Sequence, residues 1–185
     1  PGDPIFNRVT NLEIGSNQNA VRAAVNQADR EGLTAIHADF FLAGEARTIG
    51  LNLASLLREL SLKRNQDQKP RCLVAGGETT VTLDQNTPGL GGRNLEVALG
   101  AVKMMHNIQN SVLVTFATDG IDGSTDAAGA VVTGETLQRA RQISLDPDLY
   151  LRNHDSYHFF QELDDLIITG PTLTNVNDIC LLISS

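Results

Sequence analysis

The sequence predicts a layered α/β/α domain built on a mixed β-sheet, with ligand-binding loops at the ends of its strands. Segments typical of strands alternate with segments typical of helices along the 185 residues. The run Val112–Ala117 is apolar apart from Thr115, as in a strand that is covered on both faces of a sheet. Hydrophobic residues make up 41% of the chain and charged residues 19%, which supports a packed core and excludes a disordered segment.

The first third of the chain contains two predicted helices and one predicted strand. Residues 15–17 (Gly-Ser-Asn) offer a side chain that can cap a helix, whose apolar residues then recur on one face until Gly32. The short strand Thr34–Ala38 follows, and a second helix with leucines along one stripe begins near Gly44. The stretch Lys63–Pro70 has no apolar residue and ends in proline, so we interpret it as an internal linker.

The remaining two thirds contain shorter segments in the same alternation. Apolar or β-branched runs predict strands at Arg71–Ala75, Thr79–Leu83, Val112–Ala117, Leu166–Thr169 and Val176–Ile183. Helical spacing predicts helices from Leu95 to about Ile108, at Thr136–Ile143 and after Asp155. Residues 86–92 have the composition of a turn.

Composition narrows the classes of partner. Fourteen Lys and Arg against twenty-two Asp and Glu give a net charge of −8, which argues against nucleic acid or an anionic membrane as partner. No apolar run approaches the roughly 20 residues that span a bilayer, and the N-terminal residues lack the basic-then-apolar pattern that is typical of a leader. Cys72 and Cys180 lie in apolar runs, where buried free thiols are favoured over a disulfide. We therefore expect a cytoplasmic protein, and the opening Pro-Gly-Asp-Pro without Met suggests a piece of a longer chain.

Four loops carry the candidate chemistry, because ligands bind at strand ends in open α/β sheets. In the first, residues 76–80, the adjacent glycines allow close approach of the backbone to a ligand, and successive N–H groups can surround an anion. Gly77, Glu78 and Thr79 are the candidates here. The alternative is a tight turn with an exposed glutamate.

The second loop, residues 89–96, runs directly into a predicted helix. Helix N-termini attract anions through free N–H groups and the helix dipole. Arg93 stands where its guanidinium can hold a phosphate or carboxylate with two parallel hydrogen bonds. The glycine spacing fits neither a Walker A loop nor a dinucleotide-binding fingerprint. A loop with a surface arginine remains the alternative.

The third loop, residues 118–126, places three carboxylates within eight residues. Such crowding is costly unless a cation or hydrogen-bond donors hold the carboxylates. The spacing excludes an EF-hand, whereas magnesium needs only one or two carboxylates together with substrate phosphates. The alternative is ordinary Asp-Gly turn chemistry. Because loops at strand ends carry little core packing, we expect Asp119→Asn and Asp122→Asn to leave folding nearly unchanged.

Two further features are weaker. The fourth loop, residues 169–178, offers hydroxyls and amides that either bind a polar ligand or satisfy the loop itself. His154 and His158 are four residues apart, as in a metal-binding pair on one helix face. No third ligand stands at metal spacing, so packed or solvent-facing histidines are favoured.

At these loops the sequence resembles the glycerate 2-kinase family of the second type, specifically its C-terminal MOFRL domain. Five strings carry the resemblance in family order: G-G-E-T-T-V (76–81), G-G-R-N-L-E (91–96), T-D-G-I-D-G-S-T-D-A-A-G-A (118–130), D-S-Y-H-F-F (155–160) and T-G-P-T-L-T-N-V-N-D (169–178). The resemblance divides the chain into residues 1–70, the tail of a preceding N-terminal domain with a linker, and residues 71–185, the MOFRL domain.

The resemblance implies an activity and its partners. Family members phosphorylate the 2-hydroxyl of D-glycerate with ATP and a divalent metal, here Mg²⁺, and many carry the name hydroxypyruvate reductase. Their active site lies in a cleft between two domains, and most of the N-terminal domain, with its catalytic lysine, is missing here. A homodimer stays open. Two other functions stay open as well: a non-catalytic module that binds a phosphorylated small acid, and a structural half that works only when joined to the missing domain.

The residues and the resemblance together give a set of site assignments. Arg93 is the predicted catalytic residue. The residues predicted to contact substrate or phosphate are Gly77, Thr79, Gly91, Gly92 and Asn94. The predicted magnesium ligands are Asp119 and Asp122, with Glu78 as a further candidate. The chain departs from the family pattern at four positions. The family commonly has Lys or Arg at the position of Leu90, Gln at that of Leu95, Asn at that of His154 and Gly at that of Leu173.

Overall fold

The computed structural model describes residues 3–63, 69–83 and 89–185, and six strands in this part of the chain form one mixed sheet. The strands are β1 (Thr34–Leu42), β2 (Arg71–Gly77), β3 (Ser111–Ala117), β4 (Gly129–Thr133), β5 (Leu166–Ile167) and β6 (Asp178–Ser184). Their order across the sheet is β1-β2-β6-β3-β4-β5. β1 pairs with β2 in parallel, and the other pairs are antiparallel.

Helices cover both faces of the sheet. They are α1 (Asn17–Arg30), α2 (Ala46–Leu62), α3 (Arg93–Met105), α4 (Thr136–Gln142), α5 (Pro147–Arg152) and α6 (Ser156–Leu163), and a 3₁₀ turn spans Pro4–Arg8. α1 packs Val21 against Val74 and Ile179 on one face, whereas the larger core on the other face contains Leu99 and Phe159. This confirms the predicted α/β/α layering on a mixed sheet.

Helix α3 is the buried centre of the larger layer. It contacts α2 on one side and the sheet and the shorter helices on the others, so most of its residues from Asn94 to Met105 are buried. The close approach of α2 depends on Gly50, because a Cβ there would overlap the backbone carbonyl of Val97 and lie 3.1 Å from the backbone nitrogen of Ala101. β1 and α2 therefore pack directly against residues that follow the linker.

Several sequence predictions differ from the structure. Thr79–Leu83 is not a strand, because the chain leaves the sheet at Gly77 and only Thr80 pairs, in a single bridge with Glu45. β4 and α5 were not predicted, since each is short. The predicted closing strand at Leu166–Thr169 is limited to two residues. The linker interior (64–68) and the start of the predicted turn (86–88) lie outside the described residues.

Two further findings concern the cysteines and the hydropathy of the helices. Cys72 and Cys180 are both buried and free, which confirms the prediction of unpaired thiols. Among the described helices, none combines the length and the hydropathy needed to cross a bilayer.

The sheet topology brings the candidate loops together. β6 runs antiparallel to both of its neighbours, so its first residue, Asp178, pairs with Gly77 at the end of β2 and with Ala117 at the end of β3. The loops that follow β2 and β3 and the loop that precedes β6 consequently meet at one end of the sheet. The predicted grouping of loops at strand ends is confirmed.

Candidate active site

A cavity of about 1070 Å³ opens where these loops meet. Its described lining combines polar residues of the first three loops with the apolar side chains of Phe41, Val81, Leu83 and Ile121. Six of the nine predicted site residues belong to this lining: Glu78, Thr79, Gly91, Gly92, Arg93 and Asp119. The other three, Gly77, Asn94 and Asp122, lie behind it within the described structure.

Arg93 is the first residue of α3, and Gly92 precedes it as the N-cap. One guanidinium nitrogen, Nη1, donates a hydrogen bond to Oε1 of Glu78, and the other, Nη2, lies 3.6 Å from Oδ1 of Asp178. The side chain is 37% exposed and faces the cavity. Two carboxylates therefore fix the guanidinium at the cavity wall while leaving it open to a ligand.

Asp122 has a different role from the predicted one. Its side chain is buried, and Oδ1 accepts hydrogen bonds from the backbone and side-chain nitrogens of Asn94 at 3.0 and 3.2 Å. Oδ2 accepts the backbone N–H of Leu95 at 2.8 Å. Both carboxylate oxygens thus satisfy donors at the start of α3, which a helix leaves unpaired. The assignments of Asp122 to magnesium and of Asn94 to substrate are corrected: the two side chains hold the helix to the third loop.

This arrangement also changes the predicted anion site at the start of α3. The N–H groups of Asn94 and Leu95 are occupied by Asp122, so the charge that the helix dipole favours is supplied by the protein itself. Gly92 is a glycine for the same reason, because a Cβ there would overlap the Asp122 carboxylate. The glycine-rich sequence consequently serves close packing of two loops, and Arg93, whose guanidinium lies at the cavity wall, remains the candidate group for binding an anion.

We expect Asp122→Ala to destabilise the chain, whereas the sequence-based expectation was that Asp122→Asn leaves folding nearly unchanged. Loss of a helix cap costs about 0.5–2 kcal/mol, and the N–H groups that remain buried without acceptors add to that cost. For a chain of this size the melting temperature should fall by roughly 2–4 °C per kcal/mol. Thermal unfolding followed by circular dichroism measures the change. Asp39→Asn, at an exposed position in β1, is the control and should leave the melting temperature unchanged.

The pH dependence of stability offers a second measurement on Asp122. Burial raises its pKa from 3.8 to about 6, against the opposing effect of the N–H groups of Leu95 and Asn94. Between these values the folded chain keeps a proton that the unfolded chain releases. Its contribution to the free energy of unfolding is therefore full below about pH 4 and is lost as the pH rises through about 6. Asp122→Asn should remove this slope, and equal slopes in both proteins would contradict the assignment.

Asp119 is positioned by the fourth loop. Its Oδ2 accepts a hydrogen bond from the side chain of Asn175 at 3.0 Å, and its Oδ1 accepts the backbone N–H of Ile121 at 3.1 Å. The backbone carbonyl of Asp119 accepts the N–H of Thr172 at 2.9 Å. The fourth loop thus supports the third rather than lining the cavity. Within residues 3–63, 69–83 and 89–185, no cluster of three or more His, Cys, Asp or Glu forms a ready metal site.

Asp178 is a site residue that the sequence reasoning did not select. It is 3% exposed, lies beside Arg93 at the start of the central strand β6, and burial raises the pKa of its carboxyl. The sequence showed that Asp178 ends the fourth loop, where a predicted strand begins. It could not show that Arg93 lies beside Asp178, because that contact depends on the order of the strands in the sheet.

A cluster of three side chains, Arg47, Glu96 and His154, was also not predicted. Its Oε1 accepts a hydrogen bond from Nη2 of Arg47 at 2.9 Å and lies 3.1 Å from Nδ1 of His154. His154 is buried after the end of α5, in a left-handed conformation with φ of 51°. His158 is exposed and contacts Asp155 at 2.6 Å. The two histidines do not form a metal pair, which agrees with the preference for packed or solvent-facing roles.

Comparison with known proteins identifies the family. Residues 71–178, from the start of β2 to the first residue of β6, match the model of the MOFRL family. The chain belongs to the MOFRL family. The match begins at the residue that the sequence predicted as the domain start, while the assignment of residues 1–70 to a preceding domain stays a prediction.

Curated relatives of this MOFRL chain include two glycerate kinases. It is 39% identical to the glycerate 2-kinase of Pyrococcus horikoshii over 95% of its length, and 40% identical to the D-glycerate 2-kinase of Thermotoga maritima over 94%. It is also 43% identical, over 90% of its length, to a protein of Agrobacterium vitis provisionally named hydroxypyruvate reductase. The chain covers 39%, 42% and 43% of these relatives, so it spans about two fifths of their length.

Solved structures show the same fold. The crystal structure of the Thermotoga maritima glycerate kinase matches 96% of this chain with a TM-score of 0.88 and 39% identity. A Pyrococcus horikoshii structure matches 96% with a TM-score of 0.86 and 39% identity. The chain covers 43% and 40% of those two chains. Both helical layers and the mixed sheet described above thus occur within larger proteins.

Proposed function

We propose that this chain forms one wall of the active site of a glycerate 2-kinase, which transfers a phosphoryl group from ATP to the 2-hydroxyl of D-glycerate. The observation that carries the proposal is Arg93, fixed between Glu78 and Asp178 at the wall of a large cavity. Relatives that match nearly the whole chain are named as glycerate 2-kinases. ATP and glycerate both carry anionic oxygens, which a guanidinium at this place can bind.

The chemistry of phosphoryl transfer favours such an arginine. Catalysis depends on positioning and on stabilising the charge of the transferring group, with little covalent participation by the protein. The planar guanidinium can hold two oxygens of a phosphate or carboxylate at once. Glu78, whose side chain is 48% exposed, occupies the guanidinium in this structure and is free to move aside when an anionic ligand enters.

Magnesium fits this cavity as an ion shared between protein and substrate. Asp119 and Glu78 line the cavity, and one or two carboxylates together with phosphate oxygens suffice for Mg²⁺. Asp122 is excluded from this set because its carboxylate is buried behind the cavity wall, where it binds the start of α3, whereas Asp119 lines the cavity. When bound there, Mg²⁺ would neutralise negative charge on the phosphates of ATP.

A second domain is needed to close the cavity. Its rim exposes Phe41 at 60% and Leu83 at 66%, so much apolar surface borders the polar centre. The relatives are more than twice as long as this chain. We infer that an N-terminal domain covers this rim and contributes the opposite wall. The two parts together are called the complete enzyme below.

The proposal predicts a sharp difference between the complete enzyme and this chain alone. The complete enzyme should form ADP and 2-phosphoglycerate from ATP, Mg²⁺ and D-glycerate, whereas the chain alone should show no significant turnover. A chain that forms only one wall of the cleft cannot hold both substrates in the geometry of reaction, and such positioning is worth several kcal/mol in enzymes. Coupled detection of ADP, with the product identified by mass spectrometry, measures both activities.

Three outcomes would contradict the proposal. Turnover by the chain alone near the enzyme median of about 10 s⁻¹ would show that no second domain is needed. Oxidation of a nicotinamide cofactor with hydroxypyruvate, without ADP formation, would favour a reductase. Binding of 2-phosphoglycerate to a complete protein that forms no ADP would favour a non-catalytic binding module.

A further inference from the structure

Glu96 is a cavity carboxylate that the proposed function leaves without a role. It lies on α3, one helical turn after Arg93, and lines the same cavity although its side chain is only about 2% exposed. Side chains three residues apart on a helix are neighbours, with Cβ atoms about 5–6 Å apart. A substrate that contacts Arg93 is therefore within reach of Glu96.

Hydrogen-bonding groups of the described residues hold one carboxylate oxygen of Glu96. Oε1 accepts the hydrogen bond from Arg47 and faces Nδ1 of His154. Among the described residues, none donates a hydrogen bond to Oε2. An ionised carboxylate only accepts hydrogen bonds, so it favours the imidazole tautomer that has the proton on the nitrogen facing it. We therefore infer that His154 donates a hydrogen bond from Nδ1 to Oε1. The arrangement fixes the carboxylate and leaves Oε2 available.

The other carboxylates in the described lining are engaged differently. Glu78 forms an ion pair with Arg93, and Asp119 accepts hydrogen bonds on both of its oxygens. Both are also more exposed than Glu96, which shares the cavity wall with His154. Among the described cavity carboxylates, Glu96 therefore combines deep burial with an oxygen to which no described residue donates a hydrogen bond.

We propose that Glu96 accepts the proton of the substrate hydroxyl during phosphoryl transfer, and that Arg47 and His154 position it. This inference rests on the proposed function. The hydroxyl oxygen forms a bond to the γ-phosphorus of ATP, and the bond from that phosphorus to the β,γ-bridging oxygen breaks, so ADP leaves with the electron pair. The O–H bond of the hydroxyl breaks, and its proton goes to Oε2 of Glu96, from which solvent takes it after the product leaves.

The electrostatic surroundings of Glu96 suit a proton acceptor. Burial raises its pKa, while the positive charge of Arg47 from α2 and the His154 side chain from the turn after α5 oppose that rise. Glu45 lies 3.8 Å from Nε of Arg47 and is a further charged group beside this cluster. A general base works best when its pKa approaches the working pH. Glu96 must be ionised to accept a proton, so kcat should fall on the acidic side of its pKa.

Glu96→Gln in the complete enzyme tests the proposal against a purely structural role. The glutamine oxygen can still accept hydrogen bonds from Arg47 and His154, so the packing of α2 on α3 is preserved, but no proton can be accepted. Loss of a general base lowers rates by roughly 10²–10⁴-fold. We expect kcat to fall by about 100-fold or more, with the KM for glycerate changed by only a few-fold. The melting temperature should stay near that of the parent.

Matched variants separate this result from general damage. Glu162→Gln, at an exposed position on α6, should leave kcat unchanged. His154→Asn removes the histidine but keeps a donor side chain that tolerates a left-handed backbone. Its kcat should fall less than that of Glu96→Gln, because the proposed base is still present. The acidic limb of its kcat profile should move to higher pH, because a group that lowers the pKa of Glu96 is lost.

The possible failures are distinguishable. A kcat for Glu96→Gln within about threefold of the parent, beside a strongly impaired Arg93→Lys, would overturn the role of Glu96 and leave the kinase proposal intact. No ADP formation by the unchanged complete enzyme would reject the proposed function itself. If Glu96→Gln did not fold, an acidic limb that stayed in place in His154→Asn would still overturn the inference.

Discussion

Arg93→Lys in the complete enzyme should lower kcat by roughly 10- to 1000-fold, the range found when single electrostatic donors are removed from other active sites. Lysine keeps the positive charge near Asp178 but cannot present two parallel N–H donors to a phosphate or carboxylate. If these bonds strengthen as charge develops in the transition state, kcat falls more than KM rises. Steady-state kinetics with ATP and glycerate varied separately measure both constants.

The structure also decides which variant of Arg93 is most informative. Asp178 is buried beside the guanidinium, so Arg93→Ala would leave a buried carboxyl without its neighbouring positive charge. Arg93→Lys avoids this loss, and its melting temperature should stay near that of the parent. Arg141→Lys, at an exposed position in α4, is the matched control and should change neither rate nor stability.

Two results would contradict the role of Arg93. Activity of Arg93→Lys within about twofold of the parent would mean that a single positive charge suffices, or that the guanidinium does not contact the reacting group. A large fall in melting temperature with unchanged rate constants at low temperature would instead show that the ion pairs with Glu78 and Asp178 hold the fold.

The layered fold could be predicted because its signals are local. The apolar run that became β3 and the helical spacing in α1 and α2 are read directly from consecutive residues. The segment Thr79–Leu83 shows where local signals fail. Its β-branched residues favour a strand, but the chain turns away from the sheet at Gly77, whose Cβ would overlap the backbone of Leu42. Tertiary contacts therefore outweigh intrinsic propensity there.

The site was predictable in position but not in the role of each residue. Glycine and polar residues at strand ends located the cavity, and Arg93 stands in its wall. Asp119 and Asp122, by contrast, are equally acidic in sequence and three residues apart, yet only Asp122 is turned into the protein to bind the start of α3. The orientation of the Asp122 carboxylate depends on Asn94 in α3, which is 28 positions away in the chain. The spacing of residues within the loop does not encode this orientation.

The cluster of Arg47, Glu96 and His154 illustrates the same limit over longer separations. Its members are 49 and 58 residues apart along the chain, counted from Glu96, and come from three different elements. The local signal was a single glutamate between apolar residues in the first turns of α3. A buried carboxylate needs partners, so this glutamate indicated that a cation would be nearby, although it could not show which one.

The last expected result concerns the contact that holds this cluster together. Gly50→Ala should lower the free energy of unfolding by about 3 kcal/mol, at the upper end of the usual cost of overpacking. Alanine normally favours a helix interior over glycine by about 1 kcal/mol. Here that gain is outweighed, because the added Cβ would overlap the carbonyl oxygen of Val97 in α3, and backbone cannot rotate away as a side chain can.

The consequence should extend from stability to activity. Arg47 lies one turn before Gly50 on α2, so a forced separation of α2 and α3 also draws its guanidinium away from Glu96. We expect the melting temperature to fall by roughly 6–12 °C, from 2–4 °C per kcal/mol for a chain of this size, and kcat of the complete enzyme to fall even below the melting transition. Asn52→Ala, at an exposed position on the same helix, is the control and should be neutral or slightly stabilising. A melting temperature for Gly50→Ala equal to that of Asn52→Ala would show that the two helices can separate without cost, and that the α2–α3 contact does not fix the cavity wall.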